Sequence, residues 1–105
     1  DRAGIISLEL GDKVERNAEI GIWVHPEFHG RGVGTTASRL LVSYGFDELN
    51  LHRLYARTNA ENKASQSVWE EPGFEQEARM RDHTYQRGSF QDVVFYGLLQ
   101  SDWSG

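Results

Sequence analysis

The residues between Ala18 and Thr36 have the types and the spacing of a site for a phosphate-bearing ligand. Gly30, Gly32 and Gly34 alternate with other residues, after an apolar strand pattern and before a long amphipathic segment. Where a strand leads through such a loop into a helix, unpaired main-chain N–H groups and the positive end of the helix dipole meet at one point. Glycine also lets a ligand approach the main chain closely. The stretch therefore predicts phosphate binding.

Three phosphate-loop patterns compete for this stretch. A P-loop needs a lysine after its last glycine, and none follows Gly34. The dinucleotide pattern G-x-G-x-x-G fits weakly, because Ala37 stands where its third glycine would be. The third pattern, [QR]-x-x-G-x-[GA] after a strand, fits His29 to Gly34 with histidine in the first position. It resembles the coenzyme A pyrophosphate loop of the GNAT N-acetyltransferase superfamily. A loop that is merely tight is the alternative.

Length and composition limit the class of protein. The 105 residues, 38% hydrophobic and 26% charged, fit a single globular domain spanning positions 1–105. The net charge of −5 argues against a nucleic-acid partner, which favours a basic surface. The sequence has no cysteine and no apolar run of membrane-spanning length, so we expect a cytoplasmic protein without disulfides or a membrane partner.

The apolar pattern of the first half predicts two antiparallel strands and a helix. The strands are Ile5–Leu10 and Ala18–Val24, joined by a polar hairpin loop. The helix begins at Val33 and runs to Leu49, and Asn50 ends it. Residues at helical spacing form its predicted buried face, namely Val33, Ala37, Leu40, Leu41, Tyr44 and Leu49.

The second half predicts a strand, a shorter helix and a hairpin. Arg53–Thr58 follows a long crossover, so it should pair parallel to Ala18–Val24. The helix Lys63–Glu71 has Asn62 as its N-cap and ends before Pro72-Gly73. The hairpin arms are Glu75–Asp82 and Phe90–Leu99, joined through Tyr85–Ser89, with Val93, Phe95 and Leu98 facing the core. Residues Ser101–Gly105 are expected to fray.

Further motifs extend the resemblance over Gly4–Leu99. They are Leu51-His52-Arg53-Leu54-Tyr55-Ala56, Asn62-x-x-Ser65, Gly73-Phe74 and Gly88-x-Phe90-x-Asp92-x-x-x-Tyr96. In this order they resemble the second half of a GNAT domain, of the ribosomal-protein N-terminal acetyltransferase (RimJ/RimL-like) branch. The resemblance implies an α+β, three-layer fold: a mixed, mostly antiparallel sheet with a splayed parallel central pair, flanked by helices. The family's N-terminal strand and two helices have no counterpart here, so we expect a fragment or a chain completed by a partner, and self-association into a homodimer through the exposed strand edge.

The resemblance also implies the residues that bind the cofactor, acetyl-CoA. Main-chain N–H groups of Val24 and Trp23, left without partners by the splay, would bind the acetyl carbonyl. Asn62 would cap its helix and contact the pantetheine. The pyrophosphate would be held by the loop residues His29, Gly30, Arg31, Gly32, Val33, Gly34 and Thr35. Arg39 is either a further phosphate contact or a solvated helix residue.

Two catalytic residues follow from the same resemblance. Glu19 matches a general base of some family members, which takes the proton from the attacking amine. An exposed strand-end carboxylate is the alternative. Many members carry a tyrosine as general acid seven residues after the Asn, but Trp69 stands there in this chain. In the branch that this chain resembles, Ser65 takes that role, and a locally bonded helix serine is its alternative.

The implied reaction is acetyl transfer from acetyl-CoA to a primary amine, most directly a protein N-terminal α-amine. A small polyamine or an antibiotic amine is the second acceptor class. A non-catalytic acyl-CoA-binding or dimerisation module is the alternative from another class of function. The four histidines show no pair at ligand spacing on a helix, so no metal is expected.

Overall fold

The computed structural model describes residues 4–11, 13–24 and 33–103 of the chain, with side chains for residues 7–11, 13–22 and 34–103. In chain order, the strands and helices are β1 (Gly4–Leu10), β2 (Asn17–Val24), α1 (Val33–Ser43), β3 (Arg53–Asn59), α2 (Lys63–Glu70), β4 (Glu75–Gln86) and β5 (Ser89–Leu99). A π-helical turn, Tyr44–Glu48, continues α1, and a 3-10 turn, Gln100–Asp102, follows β5. None of the helices in the described ranges has the length and apolar character needed to cross a membrane.

The strands form one mixed sheet in the order β1-β2-β3-β5-β4. The pairs β1–β2, β3–β5 and β4–β5 are antiparallel, and β2–β3 is parallel. The long connection between the two parallel strands contains α1, which lies between β2 and β3 in the chain. The predicted fold class, an α+β fold with a mostly antiparallel sheet and a parallel central pair, is confirmed.

The parallel pairing of β2 with β3 is short. It joins Asn17 to Arg53, Ala18 to Leu54 and Glu19 to Tyr55, and no further pair is formed among the described residues. Beyond Glu19, β2 stays paired with β1 as far as Val24, while β3 stays paired with β5. The two central strands therefore part after Glu19, which is the splay that the family resemblance implied.

One face of the sheet carries the core. Residues at even positions of the inner strands face the helices and are at most 3% exposed: Ala18, Ile20, Leu54, Ala56, Val94, Tyr96 and Leu98. They pack with Val42 and Phe46 from α1 and its extension, and with Trp69 and Phe74 from α2 and the turn after it. Because side chains alternate along a strand, residues at odd positions, Glu19 among them, lie on the opposite face.

The predicted buried face of α1 is partly wrong. Leu40 and Tyr44 are 69% and 50% exposed. The buried face instead passes through Gly34, Ser38, Val42 and Phe46, each one turn after the last. Ser38 hid this register in the sequence because it is polar. It is fully buried because its Oγ donates a hydrogen bond to the carbonyl of Thr35 (2.9 Å).

The orientation of residues in β5, the length of the hairpin arms and the packing of Trp103 also differ from prediction. Val93 and Leu98 are buried as predicted (7% and 3% exposed), but Val93 and Phe95 lie on the sheet face away from the helices, because β5 is apolar on both faces and its pattern does not select one. The hairpin turn is only Arg87-Gly88, both with positive φ, so its arms are longer than predicted. Trp103 does not fray: its ring centroid lies 6.3 Å from that of Phe46.

Candidate functional site

The gap between β2 and β3 is the central feature of the candidate site. From Ile20 to Val24, β2 has ladder partners on β1 only, within the described residues. A strand directs its main-chain N–H and C=O groups alternately to its two sides, so part of this stretch points into the gap. Trp23 and Val24, predicted to bind the acetyl carbonyl, belong to it through their main chain, which pairs with Ile5 and Gly4.

Helix α1 is the next described element after β2 and begins at Val33. Gly34 and Thr35 form the first turn, Gly34 buried and Thr35 partly buried, and α1 packs against β1 and β2. The loop residues His29, Gly30, Arg31 and Gly32 lie outside the described residues. Arg39 points elsewhere: its Nε and Nη2 donate to the two carboxylate oxygens of Glu71 (2.7 and 2.8 Å), joining α1 to the end of α2.

Glu19, the predicted base, occupies the last rung before the strands part. Arg57 holds both of its carboxylate oxygens, with Nε–Oε2 at 2.6 Å and Nη2–Oε1 at 3.1 Å. The hydrogen bond from Arg57 to Glu19, followed by the charge of Glu19, raises the pKa of Arg57 further above its usual range. Glu9 lies directly across from Glu19 on β1. The arrangement is an ion pair across the opening strands, with a second carboxylate beside it.

A second ion pair of the same form lies on the same face, away from the gap. Arg53 Nη1 and Nη2 donate to the carboxylate of Glu77 at 2.9 and 2.7 Å. The hydrogen bond to Glu77 raises the pKa of Arg53, and the same bond lowers the pKa of Glu77. The Arg53 guanidinium also lies 5.6 Å from the ring centre of Tyr55.

Asn62 and Ser65 meet at the start of α2. The Oδ1 of Asn62 accepts the main-chain N–H of Ser65 at 3.0 Å, which confirms Asn62 as the N-cap. The side-chain amide nitrogen of Asn62 and the Ser65 hydroxyl make no hydrogen bond to another described residue. Both groups therefore remain available to a ligand.

Trp69 is buried without a partner for its indole N–H. The residue is 1% exposed, and its Nε1 has no acceptor among the described residues. Its ring lies 5.5 Å from that of Phe74, in the cluster that contains Ile20 and Ala56, the first core residues beyond the last paired rung. Trp103 Nε1 and Asn59 Oδ1 are the other side-chain atoms of this kind in the described part of the chain. An unsatisfied buried donor costs about 1–3 kcal/mol.

Tyr96 on β5 belongs to a bonded polar network with residues of α2. Its hydroxyl donates to Oε2 of Glu70 at 3.0 Å and lies 3.5 Å from Oε1 of Gln66. Gln66 in turn donates to the carbonyl of Ala60 at 2.8 Å. Burial, and then the hydrogen bond to Glu70, raises the pKa of Tyr96. Since each group has a partner, the network holds α2 on the sheet.

The carboxylate of Asp92 on β5 is hydrogen-bonded to residues of β4. Asp92 accepts the main-chain N–H of Asp82 at 2.9 Å and Nε of Arg79 at 2.7 Å, which lowers the pKa of Asp92. These bonds stabilise an irregularity of β4 between Met80 and Thr84, where Asp82 has φ of 49°. Asp92 therefore has a local structural role.

Metal ligands do not assemble in the described part of the chain. No three His, Cys, Asp or Glu side chains there are close enough to bind one ion. His25 and His29, the pair with four-residue spacing, lie outside it.

A mixed sheet whose central parallel strands are joined through a helix and part after a short ladder is the architecture of an N-acetyltransferase domain. A family model described as "Acetyltransferase (GNAT) domain" matches residues 1–75, and the chain belongs to this family.

One relative and two solved structures show how far the similarity extends. "Putative ribosomal N-acetyltransferase YdaF" of Bacillus subtilis (strain 168) is 43% identical over 102 residues, which are 97% of this chain and 56% of YdaF. The solved "Probable acetyltransferase" superposes with a TM-score of 0.89 at 42% identity, covering 96% of this chain and 57% of that one. The dodecameric spermidine N-acetyltransferase from Vibrio cholerae superposes with a TM-score of 0.89 at 32% identity, covering 96% and 59%. The chain thus spans little more than half the length of these relatives.

Sequence reasoning missed Arg57 as the partner of Glu19. The signal was present, since Arg53, Tyr55 and Arg57 alternate along a strand and so share the face of Glu19. Nothing in the sequence indicated that the indole N–H of Trp69 lacks an acceptor, because whether a buried donor finds a partner depends on the packing around it.

Proposed function

We propose that this chain is the cofactor-binding part of an N-acetyltransferase of the RimJ/RimL-like branch. It transfers the acetyl group of acetyl-CoA to a primary amine, and the acceptor is the α-amine of a protein N-terminus. The parting of β2 and β3 after Glu19 is the observation that carries this proposal. A sheet interior with free main-chain groups is unfavourable unless a ligand supplies partners.

Three features of the chain fit acetyl-CoA. The first is the row of main-chain groups on β2 that point into the gap, to which one of the neighbouring residues Trp23 and Val24 contributes, since successive residues point to opposite sides. The second is the buried indole N–H of Trp69, a donor that lacks an acceptor among the described residues and fits a polar atom of the thioester or pantetheine. The third is the start of α1 at Val33, suited to the pyrophosphate together with the loop from His29. Bound acetyl-CoA supplies the activated acyl group.

Glu19 and Ser65 handle the protons in this proposal. Glu19 accepts a proton from the acceptor amine, and the Ser65 hydroxyl donates towards the leaving thiolate. An α-amine has a pKa of ~8 and a lysine side chain ~10.4, a difference worth about 3 kcal/mol at neutral pH. The α-amine is therefore the acceptor that loses its proton more easily, either directly to Glu19 or through a water.

A polyamine is the second acceptor candidate. It is favoured by the likeness to the spermidine N-acetyltransferase from Vibrio cholerae and by Glu9 beside Glu19, since neighbouring carboxylates attract a polycation. A binding module without catalysis is the third candidate. Trp69 favours it, because an indole N–H donates a hydrogen bond but no proton at neutral pH. A cytoplasmic location and a homo-oligomeric state belong to the same proposal.

Calorimetry and a thiol-release assay test these candidates. We expect the purified protein to bind acetyl-CoA, and to release CoA when peptides with a free N-terminal amine are added. Matched N-acetylated peptides that retain a lysine, together with spermidine, are the controls that separate the acceptor classes. Binding without thiol release would support the binding module. A flat titration would contradict the family site as a whole.

A further inference from the structure

We propose that Arg57 is a positioning residue that fixes the Glu19 carboxylate at the mouth of the β2–β3 gap for the acceptor amine. The inference deepens the proposed function and rests on it. In this inference, Arg57 on β3 orients Glu19, the proposed base, on β2.

The geometry ties the pair to the gap. Glu19 pairs with Tyr55 on the last rung of the parallel ladder, and Arg57 lies two residues further along β3, where β2 and β3 no longer pair. The ion pair therefore spans the two strands at the point where their hydrogen bonds end. It fixes the separation of the strands there as well as the rotamer of Glu19.

The bonding leaves Glu19 free to act. Arg57 uses one lone pair on each carboxylate oxygen, at 2.6 and 3.1 Å. A carboxylate has about four lone-pair sites, so roughly two remain for an ammonium or a water. The Glu19 side chain is 17% exposed and that of Arg57 54%, so the carboxylate is sheltered and the guanidinium is on the solvent side. A base oriented by a third group is a recurrent catalytic arrangement.

The charges around Glu19 favour a cationic acceptor. Glu9 directly opposes Glu19, and like charges on one rung destabilise a strand pair. Arg57 offsets that repulsion and remains protonated, since Glu19 and the more distant Glu9 both raise its pKa. Glu9 and Glu19 carry two negative charges and Arg57 one positive charge, so one negative charge is left. An approaching ammonium group neutralises it.

A double-mutant cycle tests whether Arg57 acts through Glu19. The variants are R57Q, E19Q, the double variant R57Q/E19Q and the conservative R57K, assayed for thiol release with acetyl-CoA and an N-terminal peptide. We expect R57Q to lower kcat/KM by about 10- to 100-fold, as for a misplaced catalytic group, and R57K to recover part of the loss. The double variant should be no slower than E19Q, because Arg57 has no effect once the carboxylate is absent.

Arg53→Gln is the matched control. It removes a bidentate pair with Glu77 from the same strand and the same face, away from the gap. Exposed pairs of this kind are worth at most about 1 kcal/mol, so both R53Q and R57Q should remain folded. We expect R53Q to keep kcat/KM within about twofold of wild type. Equal losses in R53Q and R57Q, or additive losses in R57Q/E19Q, would overturn the inference.

A binding measurement separates this inference from the proposed function. With glutamate 13C-labelled at the δ-carbon, the Glu19 resonance is followed as N-terminal peptide is added to the CoA-saturated protein. We expect the peptide to shift the resonance in wild type and R53Q, and to shift it far less in R57Q. Absent thiol release in wild type refutes acetyl transfer, whereas a peptide response that is unchanged in R57Q, or lacking in wild type, refutes the role of Arg57.

Discussion

The buried N–H of Trp69 predicts that one substitution affects protein stability and ligand binding differently. Replacing Trp69 by Phe removes the donor but keeps an aromatic ring against Phe74. If a bound ligand is the intended acceptor, the donor is unsatisfied in the free protein. Its removal should then spare the fold and weaken the complex.

The magnitudes follow from burial. An unsatisfied donor at 1% exposure destabilises the free protein by about 1–3 kcal/mol, and Trp69→Phe relieves that cost. The smaller ring leaves a void that costs about 1 kcal/mol. We therefore expect a free energy of unfolding equal to or above that of wild type, within about 2 kcal/mol. Loss of one hydrogen bond to the ligand, about 1 kcal/mol, raises the Kd for acetyl-CoA roughly fivefold.

Urea unfolding and isothermal titration calorimetry measure the two quantities. Trp103→Phe is the control, because Trp103 Nε1 is also buried without an acceptor in the described ranges, but its ring packs on Phe46. We expect W103F to leave the Kd for acetyl-CoA unchanged. A W69F variant that loses more than about 2 kcal/mol of stability and binds acetyl-CoA normally would refute the reasoning, since the N–H would then have an acceptor within the protein.

Substitutions at three positions test the electrostatics and the helix cap. Because burial and Glu70 raise the pKa of Tyr96, the stability linked to its proton is complete below its usual pKa of 10.0 and declines as pH rises through the higher folded value. Urea unfolding in alkali should show no such decline in Tyr96→Phe. Because Arg53 lowers the pKa of Glu77, that pair stabilises the fold above the usual pKa of 4.5 and is lost as pH falls through the lower folded value. Arg53→Gln should abolish this acid dependence, which is below about 1 kcal/mol for so exposed a pair. Asn62→Ala should lose about 1 kcal/mol of helix capping, whereas Asn62→Asp keeps the cap and tests the amide donor in acetyl-CoA titrations.

The order and type of the strands and helices could be predicted from the sequence because local signals agreed. Asn62 caps α2 as expected, and Gly73, with φ of 113°, ends that region as a positive-φ glycine. The parallel β2–β3 pair followed from the length of the crossover alone. Each of these signals is local or topological, and none depends on the identity of a distant side chain.

It was harder to predict which apolar residues point into the core where both sides of a helix or strand carry apolar residues. On α1, Leu40 resembles a core residue and Ser38 does not, yet the structure reverses them because Ser38 satisfies its hydroxyl locally. On β5, consecutive apolar residues fit either register, and pairing with β3 placed Val94 on the helix side. Pairing of charged side chains, as between Glu19 and Arg57, depends on the parting of the strands, which sequence patterns describe only through the family.

The core residues and the proposed base lie on opposite faces of the sheet. Ile20, next to Glu19 in β2, points into the core beneath the helices, so Glu19 itself points away from them. Ser65 begins α2 and therefore lies on the helix side. In the proposed reaction, Glu19 would take up a proton on one side of the sheet and Ser65 would give one up on the other side, with the gap as the direct route between them. The early end of the β2–β3 ladder would then let one ligand be reached from both faces.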